Sequence, residues 1–244
     1  MEVIPVHLRG NVTPDDNVAD LILSAVRKVQ SLRDGDILVV AHKIVSKAEG
    51  RIVSLNKVKP SRRAVSIARK HGKDPRIVEL ILRESRRIVK MKRGIIITET
   101  NHGLVCANAG VDRSNVNGNN ALLLPINPDR SAEAIRSRIR RQTGKNIAVI
   151  ISDTFGRPFR EGQVNVAIGI AGLKPMMDYR GTRDMFGRKL QVTVIATADE
   201  IASAAELVMG KRDHMPIAIV RGLAYGKNGS ADELIRKPKD DLFR

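Results

Sequence analysis

Tryptophan is absent from this 244-residue chain, which carries only two Tyr and four Phe. Proteins that grip single-stranded nucleic acid stack bases on aromatic side chains interleaved with basic ones. Tyr179, Tyr225, Phe155, Phe159, Phe186 and Phe243 show no such alternation. A lone cysteine, Cys106, has no partner for an intrachain disulfide. The opening Met1-Glu-Val-Ile-Pro-Val lacks the basic-then-apolar pattern of a secretory signal, and no apolar run approaches the ~20 residues of a membrane span. Together these absences predict a cytoplasmic protein.

Acidic residues are also scarce: 26 Asp plus Glu stand against 43 Lys plus Arg, a formal net charge of +17. That surplus implies anionic partners, nucleic acid among them. Much of it falls on expected helix faces, at Arg62-Arg63, Arg83 to Arg87 and Arg136 to Arg141, where a solvated surface accounts for it. Familiar signatures are missing as well. There is no Gly-x-x-x-x-Gly-Lys-Ser/Thr loop, no Gly-x-Gly-x-x-Gly turn and no Gly-x-Ser-x-Gly elbow. A chain that handles a nucleotide without these needs an uncommon architecture.

What is present is a pair of acidic loops. Cys106 to Asn115 carries Asp112, and Ile151 to Gly162 carries Asp153; each follows a β-branched run that reads as a buried strand. Each Asp is then expected where a strand gives way to a turn, beside hydroxyl or amide side chains and followed by Arg. Turn chemistry explains either loop alone. Two such loops point to a site for a hard cation and phosphate, because Mg²⁺ takes oxygen ligands, one or two of them carboxylates.

Apolar spacing predicts strands over residues 1–8, 37–41, 95–99, 103–107, 122–124, 146–152, 163–170, 190–197 and 217–223. A first helix is expected to enter at Thr13-Pro14-Asp15-Asp16 and run through Val29. Others are expected over 61–70, 75–90, 131–143 and 199–209, with Gly144 and Gly210 closing the last two. Ser230-Ala-Asp-Glu233 forms a capping box for a final short helix. Residues 171–189 read as a long loop, either a ligand cover or an exposed excursion or dimer contact. Strands and helices mix without strict alternation, so the expected class is α+β, mixed sheets with packed helices. Lys43, just beyond a strand end, is placed to meet a phosphate as a point charge, although the sequence pattern alone favours a surface Lys. His42 stands in no metal-binding spacing with the other histidines.

The blocks His42-Lys-Ile-Val-Ser-Lys-Ala-Glu-Gly50, Asn108-Ala-Gly-Val-Asp112-Arg-Ser-Asn115, Asp153-Thr-Phe-Gly-Arg157, Asp184-Met-Phe-Gly-Arg-Lys-Leu190, Ala198-Asp-Glu-Ile201 and Met209-Gly210 together resemble the coenzyme F420-0:L-glutamate ligases, the γ-glutamyl ligases of deazaflavin synthesis. The similarity runs in order over nearly the whole chain, and the length resembles the stand-alone archaeal form. It implies an unusual ligase fold of two interleaved subdomains, residues 1–244 forming one unit with an inset subdomain around 94–190. It also implies an intertwined homodimer that uses GTP, a pair of Mg²⁺ or Mn²⁺ ions per site and K⁺ as activator. The implied reaction adds L-glutamate to F420-0, giving F420-1 and then γ-linked F420-2, through an acyl phosphate.

Carried over by residue, Asp112 and Asp153 would bind one metal and Thr154 the second. Arg9, Gly10, Asn11, Val12, His42, Lys43, Lys47, Asn115 and the turn from Met209 and Gly210 would hold the nucleotide. Asp112, Asp153 and Lys47 would act in catalysis, with Arg157 or Arg160 assisting. Two features depart from the family pattern: Arg9-Gly-Asn-Val replaces a more apolar Leu-Pro pair, and Lys211 stands where some members carry an acid supporting the second metal. Lys211 would then contact phosphate, or other groups would hold that ion. The alternatives are a related amide ligase with a different acceptor, and a basic nucleic-acid-binding protein.

Overall fold

The computed structural model describes residues 1–211 and 214–241. Its elements, in chain order, are β1 (Glu2–Val6), α1 (Val18–Val26), β2 (Ile37–Ala41), α2 (His42–Ala48), β3 (Ile52–Ser54), α3 (Arg62–His71), α4 (Pro75–Arg83), β4 (Ser85–Lys92), β5 (Ile95–Thr100), β6 (Val105–Ala107), β7 (Asn120–Leu122), α5 (Pro128–Thr143), β8 (Ala148–Arg157), β9 (Arg160–Ala171), β10 (Met177–Asp178), β11 (Val194–Ile195), α6 (Thr197–Met209) and β12 (Ile217–Arg221). The class is α+β, as expected. No helix among the described residues is long and apolar enough to cross a membrane.

The main sheet has the strand order β1-β12-β2-β8-β9, with only β2 and β8 parallel. Strand β2 is an unbroken apolar run because both of its faces are covered. Leu38 and Val40 join Val149 and Ile151 in a core under α1 and α5. Ile37 and Val39 join Ala148 and Ile150 beneath α6, whose Ala198, Ala202 and Ala205 admit close packing. A third core gathers Leu55, Ala64, Val78, Ile81, Ile96 and Leu123, between α3, α4 and the small sheet β4-β5-β6.

The outer N–H groups of edge strand β9 are partly covered. Asp199 accepts from Ala167 N at 2.9 Å and Asp129 from Ile170 N at 2.6 Å. At the far side of the sheet, Arg221 forms a two-pronged pair with Asp36, Nε to Oδ1 at 2.8 Å and Nη2 to Oδ2 at 2.7 Å.

Several elements differ from the sequence expectation. Helix α1 starts later, because Asn17 accepts from Ala19 N and Asp20 N, while Asp16 is engaged by the Thr13 amide and hydroxyl. Residues 75–90 do not form one helix. Helix α4 stops at Arg83, the Ser85 hydroxyl donates to the Ile81 carbonyl, and Ser85–Lys92 pairs with β5 across an Arg93-Gly94 turn with φ of 48° and 77°. An X-Gly pair with positive φ at both positions is what a two-residue hairpin requires. Of the strand expected over 190–197, only Val194–Ile195 pairs, with β10. The second acidic loop is also largely strand. Residues 151–157 belong to β8, and the turn falls at Arg157 to Arg160, with Phe159 at φ 59°.

Candidate active site

Parallel register brings the first two site residues together. Ala41 pairs with Ser152 at the ends of the shared β2–β8 ladder. The next residue on one side is His42 and on the other Asp153. His42 begins α2, and its Nε2 lies 3.3 Å from Asp153 Oδ1 while its Nδ1 lies 3.2 Å from Ser46 Oγ, one helical turn on. Asp153 also accepts from Thr154 N at 2.7 Å. Burial disfavours its charge, but the His42 imidazole, that amide and the Lys43 ammonium outweigh it and hold the carboxyl below the usual range.

Lys43 reaches the other loop. Its Nζ lies 2.5 Å from Asp112 Oδ2, and Ser114 donates to the same carboxylate from its amide at 2.8 Å and its hydroxyl at 2.7 Å. Burial again opposes ionisation, and Lys43 with Ser114 overcomes it, so Asp112 too sits below its ordinary value. The loop is held by backbone. Asp112 exchanges both bridge bonds with Leu122, at 3.0 and 2.8 Å. Before it, Asn108, Ala109 and Gly110 are all left-handed, with φ of 54°, 54° and 70°. For the two non-glycine residues that conformation is strained, and such strain persists where surrounding structure enforces it. At Gly110 a Cβ would stand 2.6 Å from Leu124 Cγ.

A third wall comes from β9 and α6. Thr154 Oγ1 donates to Asn165 Oδ1 at 2.7 Å, and Asn165 Nδ2 donates to Glu206 Oε2 at 2.8 Å. Lys211 closes the ring, its Nζ 2.8 Å from Glu206 Oε1 and 2.7 Å from Thr154 Oγ1. Lys47 is half-buried beside Lys43. Burial, then the neighbouring charge, lowers its pKa, and among the described residues no ion pair neutralises it.

These walls enclose a cleft of about 1100 Å³. Of the residues singled out in the sequence, Gly10, Asn11, Val12, His42, Lys43, Lys47, Asp112, Asn115, Asp153, Thr154, Met209, Gly210 and Lys211 line it. Arg9 is exposed and does not. Neither Arg157 nor Arg160 lines it, and Arg157 instead donates to the Glu161 carbonyl within its own hairpin. Arg212 and Asp213, in the turn assigned to nucleotide, lie outside the described residues. Sequence reading missed Ser114, Asn165 and Glu206, since a Glu on a helix or an Asn in an alternating strand carries no local signal.

The donors present suit a hard divalent cation. They are carboxylate, hydroxyl and amide oxygens, and the cleft-lining residues Asn108 and Ser152 each hold a buried oxygen that lacks a hydrogen-bond partner. Among the described residues no cluster of three or more His, Cys, Asp or Glu forms a closed metal cage. An ion here must draw further ligands from substrate phosphates or water. Cys106 is no rival nucleophile, because burial and the charge of Asp153 push its thiol up to about 12.

A cleft that pairs carboxylates with ammonium groups, on an α+β frame, suits anionic substrates and a hard cation, and a family match makes the class a ligase. Residues 9–222 match the model of the F420-0:Gamma-glutamyl ligase family, and the chain belongs to that family. It is 51% identical to the coenzyme F420:L-glutamate ligase of Methanothermobacter thermautotrophicus, over 94% of this chain and 93% of the relative. With the enzymes of the same name from Methanopyrus kandleri and Methanocaldococcus jannaschii it shares 47% and 49% identity. Those matches cover 100% and 87% of this chain, and 98% and 86% of the relatives.

Proposed function

We propose that this protein adds L-glutamate to the deazaflavin F420-0, and then a second, γ-linked glutamate, using GTP. Family membership supports the glutamate ligation. The observation that carries the GTP-dependent chemistry is the convergence of Asp112 and Asp153 on adjacent residues of α2, Lys43 and His42, inside one cleft. The terminal carboxylate of the acceptor attacks the γ-phosphorus of GTP, its bond to the bridging oxygen breaks, and GDP leaves. The glutamate amine then attacks the acyl phosphate carbonyl, loses a proton and expels phosphate. No protein nucleophile is needed.

Asp112 and Asp153 would hold Mg²⁺ or Mn²⁺, which when bound spreads the negative charge of the transferring phosphoryl group. Lys43 and Lys47 place ammonium groups along the same wall, and point charges there favour a polyphosphate. Val12 and Met209 give that wall apolar surface. K⁺ would act as an activating monovalent ion. The protein would work as a homodimer in the cytoplasm. Support for self-association comes from the small sheet, where Ile95, 53% exposed, shares a face with Ile97 and Val105.

The test is mass spectrometry after incubation with F420-0, L-glutamate, GTP and Mn²⁺. A gain of one or more glutamyl units with release of GDP and phosphate is expected. Unchanged F420-0 under these conditions would overturn the proposal.

A further inference from the structure

Three carboxylates and three ammonium groups line the described part of the cleft: Asp112, Asp153 and Glu206 against Lys43, Lys47 and Lys211. Lys211, like Lys43 with Asp112 and Ser114, has two partners in the cleft. Its Nζ is held between Glu206 Oε1 and Thr154 Oγ1, while Asn165 ties Glu206 to Thr154 behind it. The ring therefore contains one negative and one positive group, and sums to zero. Its Thr154 and Glu206 oxygens are the hard donors that a divalent cation would take on this side.

Resting on the proposed GTP-dependent reading, we infer that the Lys211 ammonium serves as a built-in cation at Thr154 and Glu206, so that the site takes one divalent ion, at Asp112 and Asp153. The resemblance implied a pair of ions with Thr154 on the second, and the ammonium already seated between Thr154 and Glu206 disagrees. A second divalent ion at Thr154 would have to displace Lys211 from Glu206, the one carboxylate in this ring. The Lys211 side chain is 59% exposed. An ammonium has three donors, and the two contacts within the ring leave one for the cleft, where it can meet a phosphate oxygen. Lys211 thus takes over two tasks of a metal ion, neutralising the Glu206–Thr154 corner and contacting the polyphosphate.

The experiment counts Mn²⁺ bound per chain by electron paramagnetic resonance, with a non-hydrolysable GTP analogue present, for the wild type and for Lys211→Gln. Glutamine removes the charge and, one atom shorter, keeps a polar end, and the Lys211 side chain is largely exposed, so the change leaves the fold intact. One Mn²⁺ per chain in the wild type, rising to two in Lys211→Gln, is expected. Two in the wild type, or one in both, overturns the role given to Lys211 and leaves the GTP reading standing. Failure of the wild type to bind both the analogue and Mn²⁺ would remove the GTP reading, and this inference with it.

Discussion

His42 Nε2 stands 3.3 Å from Asp153 Oδ1, and that contact is a direct product of strand register. Each residue is the first beyond the paired ends of β2 and β8, so the sheet itself sets their separation. On the other side of His42, Ser46 fixes the remaining ring nitrogen. The imidazole is thereby held between helix and strand, and Asp153 is aimed into the cleft.

Replacing Asp153 with Asn keeps the shape and removes the charge. Loss of one preorganised electrostatic group costs about 10²–10³-fold in rate, and a metal ligand is expected to cost at least that. Product formation by Asp153→Asn should fall into that range or below, with an unchanged circular dichroism spectrum. Ligation within a few-fold of wild type would remove Asp153 from the chemistry.

The Arg221–Asp36 pair predicts a stability effect. Asp36 is 1% exposed and Arg221 9%. Removing one partner of such a pair leaves an uncompensated buried charge, at a cost of about 3–5 kcal/mol. Arg221→Met should lower the denaturant midpoint accordingly, and adding Asp36→Leu should recover much of the loss. A single variant as stable as wild type would contradict this.

Asp199 gives a pH dependence. Burial raises its folded pKa above the ordinary 3.8, against the opposing Ala167 N–H. The folded state then holds the proton more firmly than the unfolded chain, so keeping the charge costs stability above the raised pKa. That cost is relieved as pH falls through the folded value towards 3.8. Asp199→Asn retains an oxygen for Ala167 N without the charge. It should be at least as stable as wild type near neutral pH, with the difference vanishing around the unfolded value, as read from denaturant midpoints across pH. A variant less stable at neutral pH would show that the charge helps rather than costs.

Cys106 should be inert in the folded protein. Its side chain is buried and its thiol is raised to about 12, so almost none is thiolate in mildly alkaline buffer. Iodoacetamide is expected to label it only after denaturant is added, as read from intact mass. Rapid labelling of the native protein would show that the 106–112 turn opens.

Much of this architecture was legible from residue types alone. Ile37 to Ala41 read as a central strand and is one, Cys106 to Asn115 read as an acidic loop following a strand and does follow β6, and Ser230-Ala-Asp-Glu233 does form its capping box. Boundaries failed where two local signals competed. Asn17 outdid Thr13 as a cap, and the helical pattern read through residue 90 gives way after Arg83, where Ser85–Lys92 pairs with β5 instead. Asp153 was expected in a turn because its neighbours are turn formers, but pairing with Val166 of β9 overrode them. The Thr154–Asn165–Glu206–Lys211 ring joins residues up to 57 positions apart through single contacts. Such a ring leaves no spacing to detect, because sheet register and helix docking create it.

Helix α2 begins at the residue after β2 ends, with no linker between them. A seam of this kind cannot flex without tearing the central sheet, so His42 and Lys43 behave as fixtures of the protein floor. Asp112 is carried instead on the left-handed turn at Asn108 to Gly110, so the two carboxylates of the cleft reach it from opposite kinds of backbone, one a strained turn and the other a strand of the central sheet.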